Sequence, residues 1–126
     1  MEKSRDYTIN AVKKAINLLK LFDDENRELT LSELSSMSGI GKSTMLRMLY
    51  TLNVEEFIDY DEETKKYSLG IELYRLGELK FNSLDVRKIS KRYLQKLCDA
   101  NNLICYLGVR HGDQLVMLDR YFPYNA

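Results

Sequence analysis

The stretch from Thr30 to Leu52, TLSELSSMSGIGKSTMLRMLYTL, places two short helical patterns on either side of a glycine-containing break. Thr30 followed three residues later by Glu33 is a capping box, in which each side chain bonds a backbone amide of the first helical turn. Gly39 and Gly41 interrupt the pattern where a sharp turn needs a positive φ. A second apolar stripe follows, formed by Met45, Met48, Leu49 and Leu52. The pattern predicts a helix-turn-helix, whose second helix enters a DNA major groove.

A phosphate-binding loop is a competing interpretation of residues 39–44, GIGKST. The full pattern, G-x-x-x-x-G-K-[ST], requires a glycine at position 36, where this chain has Ser36. It also requires a preceding buried strand, whereas the residues before Gly39 carry a helix cap and helical periodicity. We therefore interpret the segment as a turn between helices and not as a nucleotide site.

The composition is that of a globular protein with one or at most two small domains: 126 residues, 44% apolar and 30% charged. No apolar run approaches the ~20 residues of a membrane span and no signal-peptide core is present, so we expect a cytoplasmic protein without a membrane partner. Two cysteines and one histidine predict reduced, mostly buried thiols and no metal site. No nucleophile or carboxylate constellation accompanies His111, so we expect no catalytic residue, no cofactor and no enzyme activity.

The charge distribution argues against a protein that coats nucleic acid nonspecifically. Nineteen basic residues balance nineteen acidic ones, whereas a general nucleic-acid binder is strongly basic. Between Gly39 and Val54, however, Lys42 and Arg47 are the basic residues and no acid is present. The acids cluster at residues 23–25 and 61–63. A local positive face on a neutral chain indicates a protein that binds one operator sequence.

The flanking segments complete a winged domain. An amphipathic helix is predicted from Ile9 to Phe22, and its apolar stripe is broad enough to pack either within its own domain or against a second subunit. Two β-prone segments, residues 57–60 and 67–70, flank a polar turn and predict a hairpin, the wing. Lys65 and Lys66 are expected at its tip, where they can reach phosphates or the minor groove. The predicted stripe of the first helix is Val12, Ala15, Ile16, Leu19 and Phe22, widened by Ala11, Leu18 and Leu21.

Two more helices and a second hairpin are predicted after Gly70. The first helix covers residues 71–81 with an interruption at Gly77, and Asn82 or Ser83 is expected to cap the second, residues 84–100. Strands are predicted at residues 103–110 and 114–121, around a turn at residues 111–113. The second helix is expected to direct Val86, Ile89, Tyr93, Leu94 and Leu97 inward and Arg87, Lys88, Lys91, Arg92 and Lys96 toward solvent, a more economical interpretation than a second DNA contact.

The order of these segments resembles the N-terminal half of the IclR family of bacterial transcription regulators. The matching sequences are AVKKAINLLKLF, LTLSELSSMSGIGKSTMLRMLYTL, KKYSLG and IELYRLGELKFNSLDVRKISKRYLQKL, and the resemblance as a whole covers essentially residues 8–122. The most specific part is K-S-T-x-x-R-x-L-x-x-L followed by Y-x-L-G. The resemblance implies a mainly α fold with small β: a winged helix-turn-helix at residues 1–70, a linker helix at 71–83, and a truncated α/β sensing domain at 84–126 that starts an effector-binding domain. It also implies homodimers, often paired into tetramers.

The resemblance carries over to individual residues of the second helix. Lys42, Ser43, Thr44 and Arg47 match recognition-helix positions: the hydroxyls can donate to phosphate, and Arg47 can bind phosphate or guanine. Leu46 departs from the aromatic or histidine often found there and leaves contact with a thymine methyl. Glu56 replaces the glycine that usually ends this helix, so we expect a different cap and angle at the start of the wing. The complete predicted DNA-binding set is Thr30, Lys42, Ser43, Thr44, Leu46, Arg47, Tyr50, Lys65 and Lys66.

The sensing domain of the family is longer than residues 84–126. We expect a truncated form or a split product that lacks most of the effector pocket, so that a small-molecule effector binds only where the full sensing domain is present. Alternatively, the second hairpin pairs across a dimer, or the chain is a natural short form that binds DNA without sensing. The exposed edge at Ile104, Tyr106 and Val109 would then be an association site.

The sequence therefore favours a sequence-specific regulator that binds double-stranded operator DNA as a dimer, with half-sites about one DNA turn apart. The alternative is a winged-helix module that binds proteins without specific DNA binding, and the neutral net charge keeps it open. Salt dependence separates the two, because phosphate contacts weaken steeply with salt.

Overall fold

The computed structural model describes residues 7–124, so the predicted start of the first domain at residue 1 lies outside the described residues. The chain folds into two compact units that divide between Arg75 and Leu76, within the fourth helix. Within this described range, five helices and two small antiparallel sheets confirm the predicted fold class, mainly α with small β. Among the described residues, no helix is both long enough and apolar enough to cross a membrane.

The first unit contains the predicted winged helix-turn-helix. Its elements are α1 (Asn10–Leu19), β1 (Leu29–Thr30), α2 (Leu31–Ser38), α3 (Lys42–Val54), β2 (Ile58–Asp61) and β3 (Lys66–Leu69), followed by the start of α4 (Ile71–Asn82). The sheet order is β1-β3-β2, and both pairings are antiparallel. The two-residue strand β1 was not predicted, because two residues are too few to show an alternating pattern. Its pairing with β3 ties the start of α2 to the wing.

The helix-turn-helix has the predicted termini. Thr30 is the N-cap of α2: its Oγ1 accepts the Glu33 N–H at 3.2 Å, and the Glu33 carboxylate accepts the Thr30 N–H at 2.8 Å. Gly39 ends α2 with φ +77°, a left-handed conformation that glycine adopts without a steric penalty. The capping box and the positive φ at Gly39 are therefore confirmed, whereas the prediction is wrong for Gly41, which is the N-cap of α3 with φ −61°.

The core of the first unit lies beneath α3. Met45 and Leu49 of α3 are fully buried, as predicted, and Leu34 of α2 and Ile58 of β2 pack in the same cluster. Because these side chains come from α2, α3 and the wing, their packing fixes the three elements relative to one another. The rest of the cluster is Leu18, Phe22, Leu29 and Tyr67.

Only part of the predicted apolar stripe of α1 is covered. Leu18 of α1 and Phe22, three residues after the end of the helix, are buried, whereas Val12 is 53% exposed and Ile16 is 47% exposed. The small core beneath α3 contacts one face of the helix, so the stripe is wider than one unit can bury. The alternative that α1 packs entirely within its own domain is thus wrong for these two side chains.

The second unit consists of the end of α4, then α5 (Asp85–Asn101), β4 (Cys105–His111) and β5 (Gln114–Tyr121). The two strands form the predicted antiparallel hairpin, with a register shift between Leu107 and Gly108. Asn102 ends α5 at φ +53°, and Gly112 in the hairpin turn has φ +63°. The first turn lies where the sequence predicted, whereas the hairpin turn is one residue shorter than predicted, because His111 is the last residue of β4 and pairs with Gln114.

The helix boundaries around residue 83 correct the sequence prediction. Helix α4 continues through Gly77 without interruption, because a single interior glycine costs only about 0.5–1 kcal/mol relative to alanine. The predicted cap at Asn82 or Ser83 is also wrong. Leu84 is the N-cap of α5 and makes no side-chain cap bond. Ser83 Oγ instead donates to Lys80 O at 2.7 Å, a carbonyl in the last turn of α4.

The predicted inward face of α5 is largely wrong. Cys98 is its fully buried residue and Leu94 is half-buried. Arg87, predicted to face solvent, has its Nε 4.0 Å from an Asp119 carboxylate oxygen and its guanidinium over the Phe81 ring. A two-stranded hairpin covers only a narrow strip of a helix, so most apolar residues predicted inward stay 42–61% exposed: Val86, Ile89, Tyr93 and Leu97.

Candidate nucleic-acid interface

The N terminus of α3 combines free backbone donors with exposed polar side chains. Its N-cap, Gly41, provides no side-chain cap bond, so no described side chain occupies the first-turn amides. Lys42, Ser43 and Thr44 are the first three residues of the helix, and all are exposed. The helix dipole places partial positive charge at this end, and Lys42 adds a full charge. This geometry suits an anionic group such as a phosphate.

One face of α3 is exposed and carries four of the predicted DNA-binding residues. Ser43, Leu46, Arg47 and Tyr50 are spaced three and four residues apart, which places them on one side of the helix. Leu46 is 50% exposed and Tyr50 is 71% exposed. The opposite side of α3 provides the buried core residues, so packing of the core directs this face outward.

The Arg47 guanidinium is available for an external partner. Within residues 7–124 it forms no ion pair with an acid. Its backbone carbonyl accepts a hydrogen bond from Thr51 Oγ1 at 2.9 Å, which is internal to the helix and leaves the side chain unused. An exposed, uncompensated guanidinium one turn into a helix can bind phosphate or the O6 and N7 atoms of guanine.

A groove of about 860 Å³ separates α1 from α3. From α3 it is lined by Thr44, Leu46, Arg47 and Tyr50, so the structure brings four predicted site residues together. From α1 it is lined by Lys14, a residue that the sequence analysis missed. The helical repeat of α1 could have indicated the face of that helix on which Lys14 lies. The repeat does not indicate which other element lies beside that face. The other lining residues are Ala11, Ala15, Met48, Thr51 and Leu52.

The wing places its two lysines differently. Lys65 lies in the turn, exposed, with φ +61°. Lys66 is the first residue of β3 and is half-buried, with Asp61 and Thr30 as its register partners on either side. The prediction that both lysines lie at the tip is thus wrong for Lys66, because the turn closes one residue earlier than expected.

The half-buried Lys66 is close to compensating charge. The Glu33 carboxylate, the capping group of α2, has a pKa below its ordinary value because it accepts the Thr30 backbone N–H and, to a smaller extent, because Lys66 is near. Thr30 itself is half-buried: its hydroxyl oxygen accepts the Glu33 N–H in the cap, and its side chain also bonds to the Glu33 carboxylate, which lowers the Glu33 pKa further. Thr30 and Lys66 are thereby brought together beside the start of α2.

The C terminus of α3 corrects a second prediction. Glu56 takes φ +63°, the left-handed conformation that glycine would adopt, so the expected different cap is wrong. The Glu56 N–H donates to Asn53 O at 3.0 Å and the Phe57 N–H donates to Leu52 O at 2.9 Å, which together form a Schellman cap. Asn53 Nδ2 also donates to Ile58 O at 2.8 Å and fixes the start of the wing.

The comparisons with known proteins agree with this geometry. Residues 11–62 match the IclR helix-turn-helix domain. The HTH-type transcriptional regulator XynR of Escherichia coli (strain K12) is 31% identical over 112 residues, 89% of this chain and 44% of that protein. The HTH-type transcriptional regulator KipR of Bacillus subtilis (strain 168) is 34% identical over 109 residues, 86% of this chain and 43% of that protein.

A solved structure extends the similarity to the whole fold. The crystal structure of an IclR family transcriptional regulator from Brucella abortus matches with a TM-score of 0.83 at 23% identity, covering 99% of this chain and 47% of that one. At this identity the match shows a shared fold. The chain spans less than half the length of the relatives it matches.

Proposed function

Because the chain belongs to the IclR family of transcriptional regulators, we propose that it is a sequence-specific regulator that places α3 in the major groove of operator DNA. The observation that carries the proposal is the exposed, acid-free face of α3, held outward by the buried Met45 and Leu49. A recognition helix needs side chains of this kind on the side that the core leaves free.

The start of α3 would position the protein on the DNA backbone. Lys42, Ser43 and Thr44, together with the first-turn amides, are placed to bind phosphate. Lys14, across the groove, adds a positive charge on the same side as Thr44. Such contacts fix the position of the helix and carry no sequence information of their own.

Sequence would be read by the exposed face. Arg47 would form a bidentate contact to guanine O6 and N7, the commonest specific contact in the major groove. Leu46 would contact a thymine methyl, and Tyr50 would reach the sugar-phosphate backbone. Two readers per subunit give a short half-site, so a useful operator needs two half-sites.

The wing and the start of α2 would add contacts beside the groove. Lys65, exposed in the turn, is placed for a phosphate or the minor groove. Lys66 would contact a neighbouring phosphate as an ammonium, and the Thr30 hydroxyl would donate to the same phosphate by giving up its bond to the Glu33 carboxylate. The nearby Glu33 opposes this second contact, so we expect Lys65 to contribute more than Lys66.

The proposed assembly is a homodimer. Val12 and Ile16 leave an apolar strip on α1 that a second subunit would cover, and a two-fold axis places two recognition helices on half-sites about one DNA turn apart. Residues 1–70 would form the DNA-binding domain, 71–83 the linker helix, and 84–126 the start of an effector-binding domain. Tetramers and an effector are proposed only with the full sensing domain. A regulator of this kind would act in the cytoplasm, and we propose no enzymatic step or cofactor for it.

The test is a fluorescence-anisotropy titration of a duplex from upstream of the protein's own gene, beside a shuffled duplex, at two salt concentrations. We expect tight, salt-sensitive binding to the native duplex, weakened by about 1–3 kcal/mol in Arg47→Ala. Arg27→Ala is the matched control: this exposed arginine already pairs with Asp24 at 3.5 Å, so its loss should leave the affinity unchanged.

Each other outcome has a definite meaning. Equal affinity for both duplexes would limit the function to contact with the DNA backbone. Absence of binding at low salt by a folded, dimeric protein would contradict the proposal and favour the protein-interaction module.

A further inference from the structure

The two cysteines of the chain lie at the same end of the second unit. Cys98 is in the last turn of α5 with no exposed surface, and Cys105 is the first residue of β4 and is half-buried. The chain reverses between them at Asn102, where the left-handed conformation lets the Asn102 and Leu103 N–H groups bond to Cys98 O. Because the chain turns back on itself there, Cys105 lies opposite the last turn of α5, which contains Cys98.

Three contacts bring the sulfur atoms together. The Cys98 thiol donates to Tyr121 O at 3.3 Å. Tyr121 is the register partner of Cys105 in the hairpin, so the carbonyl that holds Cys98 belongs to the residue directly opposite Cys105. The Cys98 sulfur also interacts with both the thiol and the backbone N–H of Cys105. The two thiols are therefore neighbours in the reduced protein.

We propose that Cys98 and Cys105 form an oxidisable dithiol that closes to an intramolecular disulfide when the protein meets hydrogen peroxide. In the first step the Cys105 sulfur bonds to one peroxide oxygen, the O–O bond breaks, and the departing oxygen leaves as water. In the second step the Cys98 sulfur displaces the oxygen from the resulting Cys105 sulfenic acid, and this oxygen leaves as a second water. Two thiols lose two electrons and two protons, and one peroxide is reduced to two waters.

The environments of the two thiols give each a separate role. Cys105 is the one with exposed surface, so the peroxide reaches it first. Burial, and then the facing thiol of Cys105, raise the pKa of Cys98, which keeps it protonated and unreactive until a sulfenic acid forms beside it. An accessible sulfur next to a shielded partner is the arrangement found in thiol sensors.

Oxidation would change the contacts at this end of the unit. The new bond would tie the last turn of α5 to β4 and would remove the S–H donor that now bonds Tyr121 O. Cytoplasmic disulfides are usually transient and regulatory, so a reversible bond is expected and not a permanent structural one.

The sequence offers a direct test by mass spectrometry. No lysine or arginine lies between Lys96 and Arg110, so trypsin releases both cysteines in one peptide, residues 97–110. The purified protein is treated with hydrogen peroxide, alkylated in denaturant and digested. We expect this peptide to lose two hydrogen atoms and to take up no alkyl group, while free thiols fall from two to none and return with dithiothreitol.

Single-cysteine variants separate the two roles. In Cys98→Ser, Cys105 should stop at a sulfenic acid that dimedone traps. In Cys105→Ser, the shielded Cys98 should remain reduced, and because Cys105 is not fully buried this variant keeps the test valid if Cys98→Ser fails to fold. Two alkylated cysteines in the treated wild type, disulfides only between chains, or over-oxidised Cys105 beside alkylated Cys98 would each overturn the proposal.

Discussion

Glu56 holds a strained backbone conformation at the end of the proposed recognition helix. Its φ of +63° is the left-handed conformation, which costs a non-glycine residue roughly 1–2 kcal/mol. The Schellman cap and the first turn of α4 together maintain it, since both the N–H and the carbonyl of Glu56 are bonded. A residue held against its preference in this way is a site where a single substitution should increase stability.

We expect Glu56→Gly to raise the free energy of unfolding by about 1 kcal/mol, because glycine adopts the left-handed conformation freely. Urea denaturation followed by circular dichroism measures the change. Glu55→Gly is the matched control: Glu55 has φ −88°, so glycine relieves no strain there and should add none of this stability. An equal gain in both variants would show that loss of negative charge, and not backbone strain, is the cause.

Gly70 allows two backbone segments to approach closely. A Cβ at this position would lie 2.2 Å from Glu56 O and 2.8 Å from the carbonyl carbon of Phe57. Both are backbone atoms, so no side-chain rotation can remove the clash. The glycine is therefore required by space, although its own φ is ordinary.

Gly70→Ala should destabilise the first unit by about 1–3 kcal/mol, the usual cost of forced overpacking. Gly77→Ala should instead stabilise by about 0.5–1 kcal/mol, because a Cβ added at this position of α4 would project into open space. Thermal unfolding of the two variants compares them directly. A wild-type-like melting temperature for Gly70→Ala would contradict the close approach.

The elements differ in how far local sequence determines them. Helix α2 and its turn follow from Thr30, Glu33 and Gly39, because caps and positive-φ glycines act between near neighbours. The buried face of α5 could not be predicted in this way, because it depends on which side the hairpin covers. Strand β1 likewise exists only because β3 lies beside it.

The same contrast holds for the candidate site. The exposed face of α3 follows from helical periodicity once Met45 and Leu49 are assigned to the core. Lys14 of α1 lines the groove beside α3, and the Glu33 carboxylate lies near Lys66. Both contacts depend on the packing of elements that are distant in sequence. The sequence thus predicts which face of a helix is exposed, but it does not predict which other elements lie beside that face.

The capping box of α2 should make stability depend on pH. The folded-state pKa of Glu33 is below its ordinary value of 4.5, chiefly because the carboxylate accepts the Thr30 backbone N–H. The lowered pKa means that this stabilisation is fully present above the unfolded pKa and is lost as pH falls through the folded pKa. Glu33→Gln, which cannot titrate, should therefore lose less stability than the wild type between about pH 6 and about pH 3.

Chemical denaturation at a series of pH values in that range provides the measurement. Glu72, whose pKa is also lowered, by the Arg75 side chain, titrates with the same sign but is present in both proteins. The difference between the two curves therefore isolates Glu33. Parallel curves would show that the capping carboxylate makes no pH-dependent contribution.

At the scale of the whole molecule, zero net charge makes local charge decisive. The nineteen acids cancel the nineteen bases overall, so attraction to DNA depends on which cations lie at the interface. The exposed cations proposed to contact phosphates are Lys14, Lys42 and Lys65, whereas Lys66 is near Glu33. A neutral body with a small cationic face should discriminate strongly against nonspecific DNA.

These three cations predict the salt dependence of operator binding. A dimer that neutralises about six phosphates should give a slope of about −5 in log K against log salt, since each contact contributes about −0.9. Anisotropy titrations over a series of potassium chloride concentrations measure the slope. Lys65→Ala should make it shallower by about two contacts per dimer, whereas Lys66→Ala should change it less. Equal changes in both would show that Glu33 does not offset Lys66.

The carbonyl of Glu56 bonds the Glu72 N–H at 3.1 Å, and the Gly70 N–H bonds Phe57 O at 2.8 Å. The end of α3 and the first turn of α4 are therefore joined by hydrogen bonds between backbone atoms. Because no side chain takes part in these two bonds, truncating a side chain would not remove either of them directly. We expect a rotation of the start of α4 to be transmitted through these bonds to the end of α3. The two bonds thus connect the end of the proposed DNA-reading helix directly to the helix that follows the wing.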